Sequence, residues 1–375
     1  MIIGIVFGIL AAYGLLILSL SYGFWKLPNI KQQELTHETA FSVIVPFRNE
    51  SLHLPNLLAS IKSLEYPTTK VSFYFVDDAS EDDSCEIIEK FSKKHPSINI
   101  RVLKNKRVSN SPKKDAIRTA ITQLDSDWIV TTDADCIVPP KWLQLFNQEI
   151  ILKRPNMIVA PVTYKEETSF FSYFQLLDFL SLQGTTIGSF GLEIPFMCNG
   201  ANLSYKKKAF LAVQGFAGND TIASGDDVFL LEKFIQKWPK KITYLKSKEA
   251  IITTVAVATH KELISQRVRW ASKSANYNIL TGKLIGVLVV LINLTFCVSP
   301  IFLFVGLSWE FILLFIVSKI GIDSILLFQT LRFTQQTFKL LHVLCSAVLY
   351  PFFTIFIFFR SLFSSYTWKN RSFKK

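Results

Sequence analysis

Two aspartates one residue apart, Asp133 and Asp135, directly follow the run from Trp128 to Thr132. Carboxylates are hard oxygen ligands suited to Mg2+ or Mn2+, above all where substrate phosphates complete the coordination. A helix cap or a solvated turn uses the same triplet, so the spacing alone leaves both open. Asp226 and Asp227 form a second cluster much further along the chain. Adjacent carboxylates near a metal–phosphate site make one of them a candidate general base toward an acceptor hydroxyl. Capping of a helix that opens at Gly225, with the other carboxylate solvated, is the alternative. A third group, Gln266, Arg267, Arg269 and Trp270, precedes a long apolar run. Arginine there offsets diphosphate charge and an indole stacks on a sugar or acceptor, whereas Arg and Trp beside a membrane span also act as interfacial anchors. His260 stands alone and reads as an ordinary polar side chain rather than a metal or phosphate contact.

The elements that must hold these residues alternate. Phe41–Pro46 reads as a short strand ended by proline, Arg48–Leu64 as a helix, Val71–Val76 as a strand ending in Asp77 and Asp78, and Asp82–Lys94 as a polar helix. Ile100–Leu103, a helix near Lys113–Gln123 and Trp128–Thr132 continue the series. Strand, helix, strand, helix at this spacing predicts an α/β domain with an open, mostly parallel, Rossmann-like sheet covered on both faces. Such sheets bind ligands beyond the carboxyl ends of their strands, where the acidic residues near 77 and 133 fall. Further on come a strand at Met157–Thr163, an aromatic-rich helix at Phe170–Leu182, a turn and strand over Asn199–Tyr205, a β-rich stretch at Ile251–Val257 and an amphipathic helix at Glu262–Ile279. Residues 40–280 form one domain.

Half of the 375 residues are hydrophobic and mean hydropathy is +0.31, an excess that belongs in lipid rather than in an unusually large core. Residues 1–25 form an N-terminal anchor, since Ile2–Trp25 carries no charge and is too long for a signal-peptide core. A linker of 26–39 follows. After the domain come a span at 284–309, a transmembrane or interfacial segment at 311–331 interrupted by Lys319 and Asp323, a span at 340–359, and a basic tail at 360–375. Lys319 and Asp323 are four apart and can pair on one helix face. With the domain in the cytoplasm of a bacterial-type plasma membrane, four full crossings would place the basic tail outside, against the positive-inside tendency. An even number of crossings between domain and tail removes the conflict. The net charge of +12 is scattered, fits attraction to anionic lipid, and accompanies no nucleic-acid module. Five well-separated cysteines without a CxxC pair exclude a disulfide framework and a thiolate zinc site.

Five segments in order carry a family resemblance over Phe41 to Tyr277: Pro46 with Asn49-Glu50, Val76-Asp77-Asp78-Ala79-Ser80, Asp133-Ala134-Asp135, Gly225-Asp226-Asp227, and Gln266-Arg267-Val268-Arg269-Trp270. Together with the spans, they resemble the membrane-bound, inverting glycosyltransferases of family 2, whose catalytic domain has the GT-A nucleotide-sugar fold. The resemblance implies that Pro46, Glu50, Asp77, Asp78, Lys113 and Asp133 bind the donor, a nucleotide-diphosphate sugar and most readily a UDP-sugar. It implies that Asp135, with Asp133, holds Mg2+ or Mn2+. Asp227 becomes the catalytic base with Asp226 beside it, and Asn199, Gly200, Gln266, Arg269 and Trp270 meet the acceptor or diphosphate. The chain departs from the family in two places. Ser111-Pro112-Lys113-Lys114 stands where Gly-Lys-Gly is common, and the acidic pair is Asp-Asp rather than Glu-Asp. The implied reaction is metal-dependent transfer of a sugar, with inversion, to a lipid-linked or other membrane-delivered glycan acceptor. The few spans favour one transfer over processive polysaccharide synthesis. A nucleotidyl or phosphoryl transferase and a non-catalytic membrane scaffold of the same fold are the rival expectations.

Overall fold

The computed structural model describes residues 2–33, 35–166, 168–219, 224–274, 277–363, 366–368 and 371–373. The chain runs α1 (Ile2–Lys26), β1 (Phe41–Phe47), α2 (Leu54–Lys62), β2 (Val71–Asp77), α3 (Ser84–Lys94), β3 (Asn99–Lys104), α4 (Pro112–Ile121), β4 (Trp128–Thr131) and α5 (Trp142–Lys153). It continues β5 (Met157–Val159), β6 (Val162–Tyr164), α6 (Phe170–Gly191), β7 (Leu203–Lys206), α7 (Lys207–Ala212), α8 (Asp226–Lys237), β8 (Ile242–Tyr244), β9 (Ile252–Thr254) and α9 (His260–Ser274). Last come α10 (Leu280–Val298), α11 (Trp309–Phe333), α12 (Leu340–Phe363) and a small hairpin, β10 (Tyr366–Trp368) and β11 (Arg371–Phe373).

The main sheet has seven strands in the order β3-β2-β1-β4-β7-β5-β8. β1 pairs in parallel with β2 and β4, with Val43 opposite both Phe73 and Val130. β7 runs antiparallel between β4 and β5, so the sheet is mixed beyond β4. Alternation along β1 explains its burial on both faces. Val43 and Val45 join Leu57, Trp142 and Phe146 on one side, while Ile44 joins Ile117 and Leu230 on the other.

The first helical segment is shorter than its sequence pattern. Residues 48–53 form a turn in which Asn49 takes φ 52. The turn is pinned by the neighbouring strand-end loop: Asn49 N–H donates to Ser80 Oγ (3.1 Å), Glu50 N–H to Ser84 Oγ (2.8 Å) and Ser51 N–H to Asp82 Oδ2 (3.0 Å). Side chains that satisfy backbone groups in this way compete with a helix, which therefore begins only at Leu54.

α6 extends to Gly191, well beyond Leu182, because its second half is a packing surface. It lies directly on α1: a Cβ at Gly188 would sit 2.4 Å from the Leu20 carbonyl oxygen, and one at Gly191 would sit 1.8 Å from that of Gly23. A Cβ at Gly184 would meet Thr330 Oγ1 of α11 at 2.4 Å. Small residues at such spacing let helix backbones approach closely. Lys246, from the α/β domain, donates to the carbonyls of Phe24 and Leu27 at the end of α1. The N-terminal helix is thus a fitted part of the domain rather than a loose tether.

Among the described residues, four helices are long and apolar enough to cross a membrane: α1, α10 with its 3-10 continuation to Val305, α11 and α12. The segment around 311–331 is a regular helix in spite of its charges. Lys319 Nζ pairs with Asp323 Oδ2 at 2.7 Å, and Tyr13 of α1 donates to Asp323 Oδ1 at 2.6 Å. The charges face the helix bundle, where pairing offsets part of the burial cost. Both ends of α12 lie against the α/β domain. Lys339 N–H, just before it, donates to Tyr173 Oη at 3.1 Å, and Ile357 packs on Val268 of α9.

Candidate active site

The carboxyl ends of β1, β2 and β4 open onto a cavity of about 2170 Å³. Its wall includes Pro46, Glu50, Asp78, Lys113, Asp133, Asp135, Asn199, Gly200, Asp226, Asp227, Gln266, Arg269 and Trp270. The residues singled out in the sequence therefore converge on one site, with the exception of Asp77. That side chain accepts from Ser80 N–H at 2.9 Å and shapes the turn behind Asp78.

The end of the cavity beside β1 and β2 is built by two interlocked strand-end loops. Arg48 donates to the carbonyls of Asp78 and Ala79 at 2.7 and 2.6 Å. The buried Asp78 carboxylate accepts from Asn105 Nδ2 at 2.7 Å and lies 3.4 Å from Arg107. Asn105 and Arg107 follow β3 in a largely polar loop, so no spacing pointed to them.

Lys113 sits at the centre. Pro112 opens α4, which suits a first helical turn, and the turn points Lys113 at Asp133 (2.5 Å) and Asp226 (3.7 Å). Burial alone would lower the Lys113 pKa, but the Asp133 and Asp226 carboxylates outweigh it and hold the ammonium charged, well above its usual range. A lysine fixed on a helix start thus does without the glycine-flanked loop.

Asp226 and Asp227 lie in the first turn of α8, whose start is set by Gly225 at φ +82. A left-handed backbone of this kind favours glycine. Neither aspartate caps the helix by the usual side-chain bond. Asp227 Oδ1 accepts from Val228 N–H (2.8 Å), Oδ2 accepts from Gly200 N–H (3.2 Å), and Lys273 Nζ approaches Oδ1 at 3.7 Å. The two carboxyls are pushed apart in acidity. Burial would raise both; Lys273, Lys113 and the two N–H donors hold Asp227 below the ordinary carboxylate range, whereas Asp226 stays above it because burial prevails over Lys113 and Asp227 adds repulsion. Lys273 was missed in the sequence, although its position seven residues after Gln266 puts both on one face of α9.

Asp133 and Asp135 are the residues that could hold a divalent cation. Cys136 beside them is buried, which with the nearby Asp135 pushes its thiol well up and denies the site a thiolate. Among the described residues no group of three or more His, Cys, Asp or Glu side chains gathers as a metal site. Two carboxylates with open positions fit a hard cation that takes its remaining ligands from diphosphate oxygens and water.

The cavity does not stop at the domain. It continues between α6 and the long helices, reaching Ile285 and Val290 of α10, Asp323 and Leu327 of α11, and Tyr350 and Thr354 of α12. Its volume is about twice the upper end of the 300–1,000 Å³ usual for a small-ligand pocket.

Comparison with known families agrees with this geometry. The model for glycosyl transferase family 2 matches residues 42–213, and that for glycosyl transferase family group 2 matches residues 128–368. The chain belongs to the family 2 glycosyltransferases. The enzyme shares its fold with a mannosyltransferase, PcManGT from Pyrobaculum calidifontis, solved with GDP-Man and Mn2+, at a TM-score of 0.65 over 97% of this chain and 99% of that one, with 14% identity. Poly-beta-1,6-N-acetyl-D-glucosamine synthase of Staphylococcus epidermidis is 24% identical over 234 residues, 61% of this chain and 53% of that protein. Poly(ribitol-phosphate) beta-N-acetylglucosaminyltransferase TarS of Staphylococcus aureus is 32% identical over 95 residues, 25% of this chain and 16% of that protein. The chain spans about half of the first of these two relatives and about a sixth of the second. This glycosyltransferase therefore has a GT-A domain flanked by helices of membrane-spanning length.

Proposed function

We propose that the enzyme transfers one sugar from a nucleotide-diphosphate sugar to a lipid-linked acceptor, with inversion at the anomeric carbon. The observation that carries this reading is the continuity of the cavity from the Asp133–Asp227 cluster into the space between α10, α11 and α12. A hydroxyl presented on a lipid would reach the carboxylates from the bilayer while its apolar chain stays among apolar side chains.

In this reading Glu50 and Asp78 hold the nucleoside, and Lys113 with Asp133 orients the diphosphate end. Asp135 and Asp133 would hold Mg2+ or Mn2+, which would supply positive charge for the departing nucleoside diphosphate. Asp227, fixed by Gly200 N–H and Val228 N–H, takes the proton of the attacking hydroxyl. Direct displacement then needs no protein nucleophile. Asn199 and Gly200 shape the floor: a Cβ at Gly200 would lie 3.1 Å from Asp226 Oδ2 and 3.3 Å from Lys113 Nζ. Gln266, Arg269 and Trp270 line the side that leads to the membrane. The detergent-solubilised enzyme should convert one member of a panel of UDP- and GDP-sugars, supplied with native lipid extract, into a glycolipid one sugar heavier by mass spectrometry. A ladder of products would replace single transfer with polymerisation, and release of pyrophosphate would replace glycosyl transfer with nucleotidyl transfer.

We further propose that the catalytic domain is cytoplasmic and that α12 lies along it rather than crossing. Lys26, Lys283 and Arg332 mark the domain-facing ends of α1, α10 and α11, while the opposite connection over 299–308 has no basic residue. With α12 returning to α9, the basic tail shares the domain's side, which removes the conflict left by four crossings. A reporter fused after Lys375 that is active only in the cytoplasm should be active; activity of a periplasm-dependent reporter there would refute the arrangement.

A further inference from the structure

Arg267 occupies a position inside the Gln266–Trp270 segment to which the family resemblance gives no role. It is nonetheless only 5% exposed, and its ion-pair partner Asp178 is 8% exposed. Three contacts converge on the guanidinium. Nε donates to Asp178 Oδ2 at 2.5 Å, a terminal nitrogen donates to Gln266 Oε1, and the plane lies over the Trp270 ring with its centre 4.3 Å from the ring centroid. Phe179, next to Asp178, backs the indole at 6.2 Å and stacks on Tyr164 at 4.5 Å.

A clamp between α6 and α9 requires none of this. Burying two charges costs desolvation that an apolar pair of similar volume avoids, and such a pair would hold the helices together equally well. A guanidinium adds a rigid plane with donors in fixed directions. Here Nη1 holds the Gln266 amide oxygen, one face lies on the Trp270 indole, and Nε is anchored on Asp178. Gln266 and Trp270 both line the cavity.

We propose that Arg267 is a positioning residue for glycosyl transfer: anchored on Asp178, it fixes Gln266 and Trp270 in the orientation that receives the acceptor and the diphosphate. The inference rests on the reading that those two side chains face the substrates. It also connects the site to the spans. Asp178 belongs to the helix whose Gly188 is pressed on α1 and whose Gly184 is pressed on α11, so the seating of the membrane helices sets the anchor point of the fork.

The test uses the full-length enzyme in detergent with native lipid extract as acceptor, and compares Arg267→Lys with the double variant Asp178→Leu/Arg267→Met. Arg267→Lys keeps the charge opposite Asp178 but loses the plane; the double variant keeps an apolar clamp and loses both. Each is expected to melt within about 2 °C of the parent and to bind UDP or GDP within about threefold, while kcat for transfer falls about 10–100-fold, the scale of a small misplacement at a reacting centre. Transfer by Arg267→Lys within twofold of the parent would overturn the proposal. So would recovery of transfer in the double variant, which would reduce the pair to a helix clamp, or a parallel fall in melting temperature, diphosphate affinity and kcat. Gln266→Ala and Trp270→Ala at parental rates would instead overturn the site reading on which it stands.

Discussion

Replacing Asp227 by asparagine removes a base and leaves nearly everything else in place. The side chain has one oxygen on Val228 N–H at 2.8 Å and the other near Gly200 N–H at 3.2 Å, with Lys273 Nζ at 3.7 Å. Asparagine keeps an acceptor for Val228 but turns an amide donor toward Gly200 N–H, an opposed pair that costs about 1–3 kcal/mol of local stability. The chemical loss is larger. A positioned general base contributes about 10²–10⁴-fold, equivalent to about 2.7–5.4 kcal/mol of barrier at 1.36 kcal/mol per decade. The proposed donor contacts are Asp78, Lys113 and Asp133, so donor KM should stay within about threefold while kcat falls by the full factor, the pattern of an interaction made only in the transition state. Initial rates of glycolipid formation at saturating donor, with donor KM from the same series, measure both. A kcat within tenfold of the parent would refute the assignment and pass the role to Asp226.

Three further outcomes follow from the geometry. Because Asp227 is held below the ordinary carboxylate range and must be deprotonated to act, kcat should stay level as pH falls to the edge of that range; a limb displaced above it would identify Asp226, whose burial raises its pKa. Asp135→Asn should abolish the Mn2+-dependent part of UDP or GDP binding measured by calorimetry, and undiminished Mn2+ enhancement would remove Asp135 from the cation site. Gly188→Ala places a methyl 2.4 Å from the Leu20 carbonyl oxygen; backbone cannot step aside cheaply, so overpacking of about 1–3 kcal/mol should appear as earlier thermal unfolding, and an unchanged melt would show that α1 and α6 are not packed as described.

Much of the site was legible because its residues follow buried strands. Asp78 and Asp133 stand where parallel strands end, and that position alone argues for chemistry. Lys113 reaches Asp133 without flanking glycines because Pro112 provides a helix start in their place. What escaped was decided by contacts between distant segments. Nothing near Asp178 marks it as the partner of Arg267, 89 residues away, and read singly each is a polar residue on a helix. The sequence pattern ended that helix at Leu182, ahead of its glycines, and Gly weakens a helix interior; the compensating contacts come from the backbone of α1 and from Thr330 of α11. The interruption at Lys319 and Asp323 suggested a segment outside the bilayer core. Tyr13, the third member of that cluster, lies near the opposite end of the chain.

That last contact has a consequence for how the protein is made. Tyr13 and Asp323 are separated by 310 positions, so α1 waits for its partner on α11, its Tyr13 side uncovered, until the whole α/β domain between them has been translated. Chain closure over such a distance is slow to form and leaves intermediates with exposed surface. Helix α1 is therefore made before the domain it supports and completed after it, and arrest of translation between α6 and α11 would leave the domain seated on only half of its helical partner.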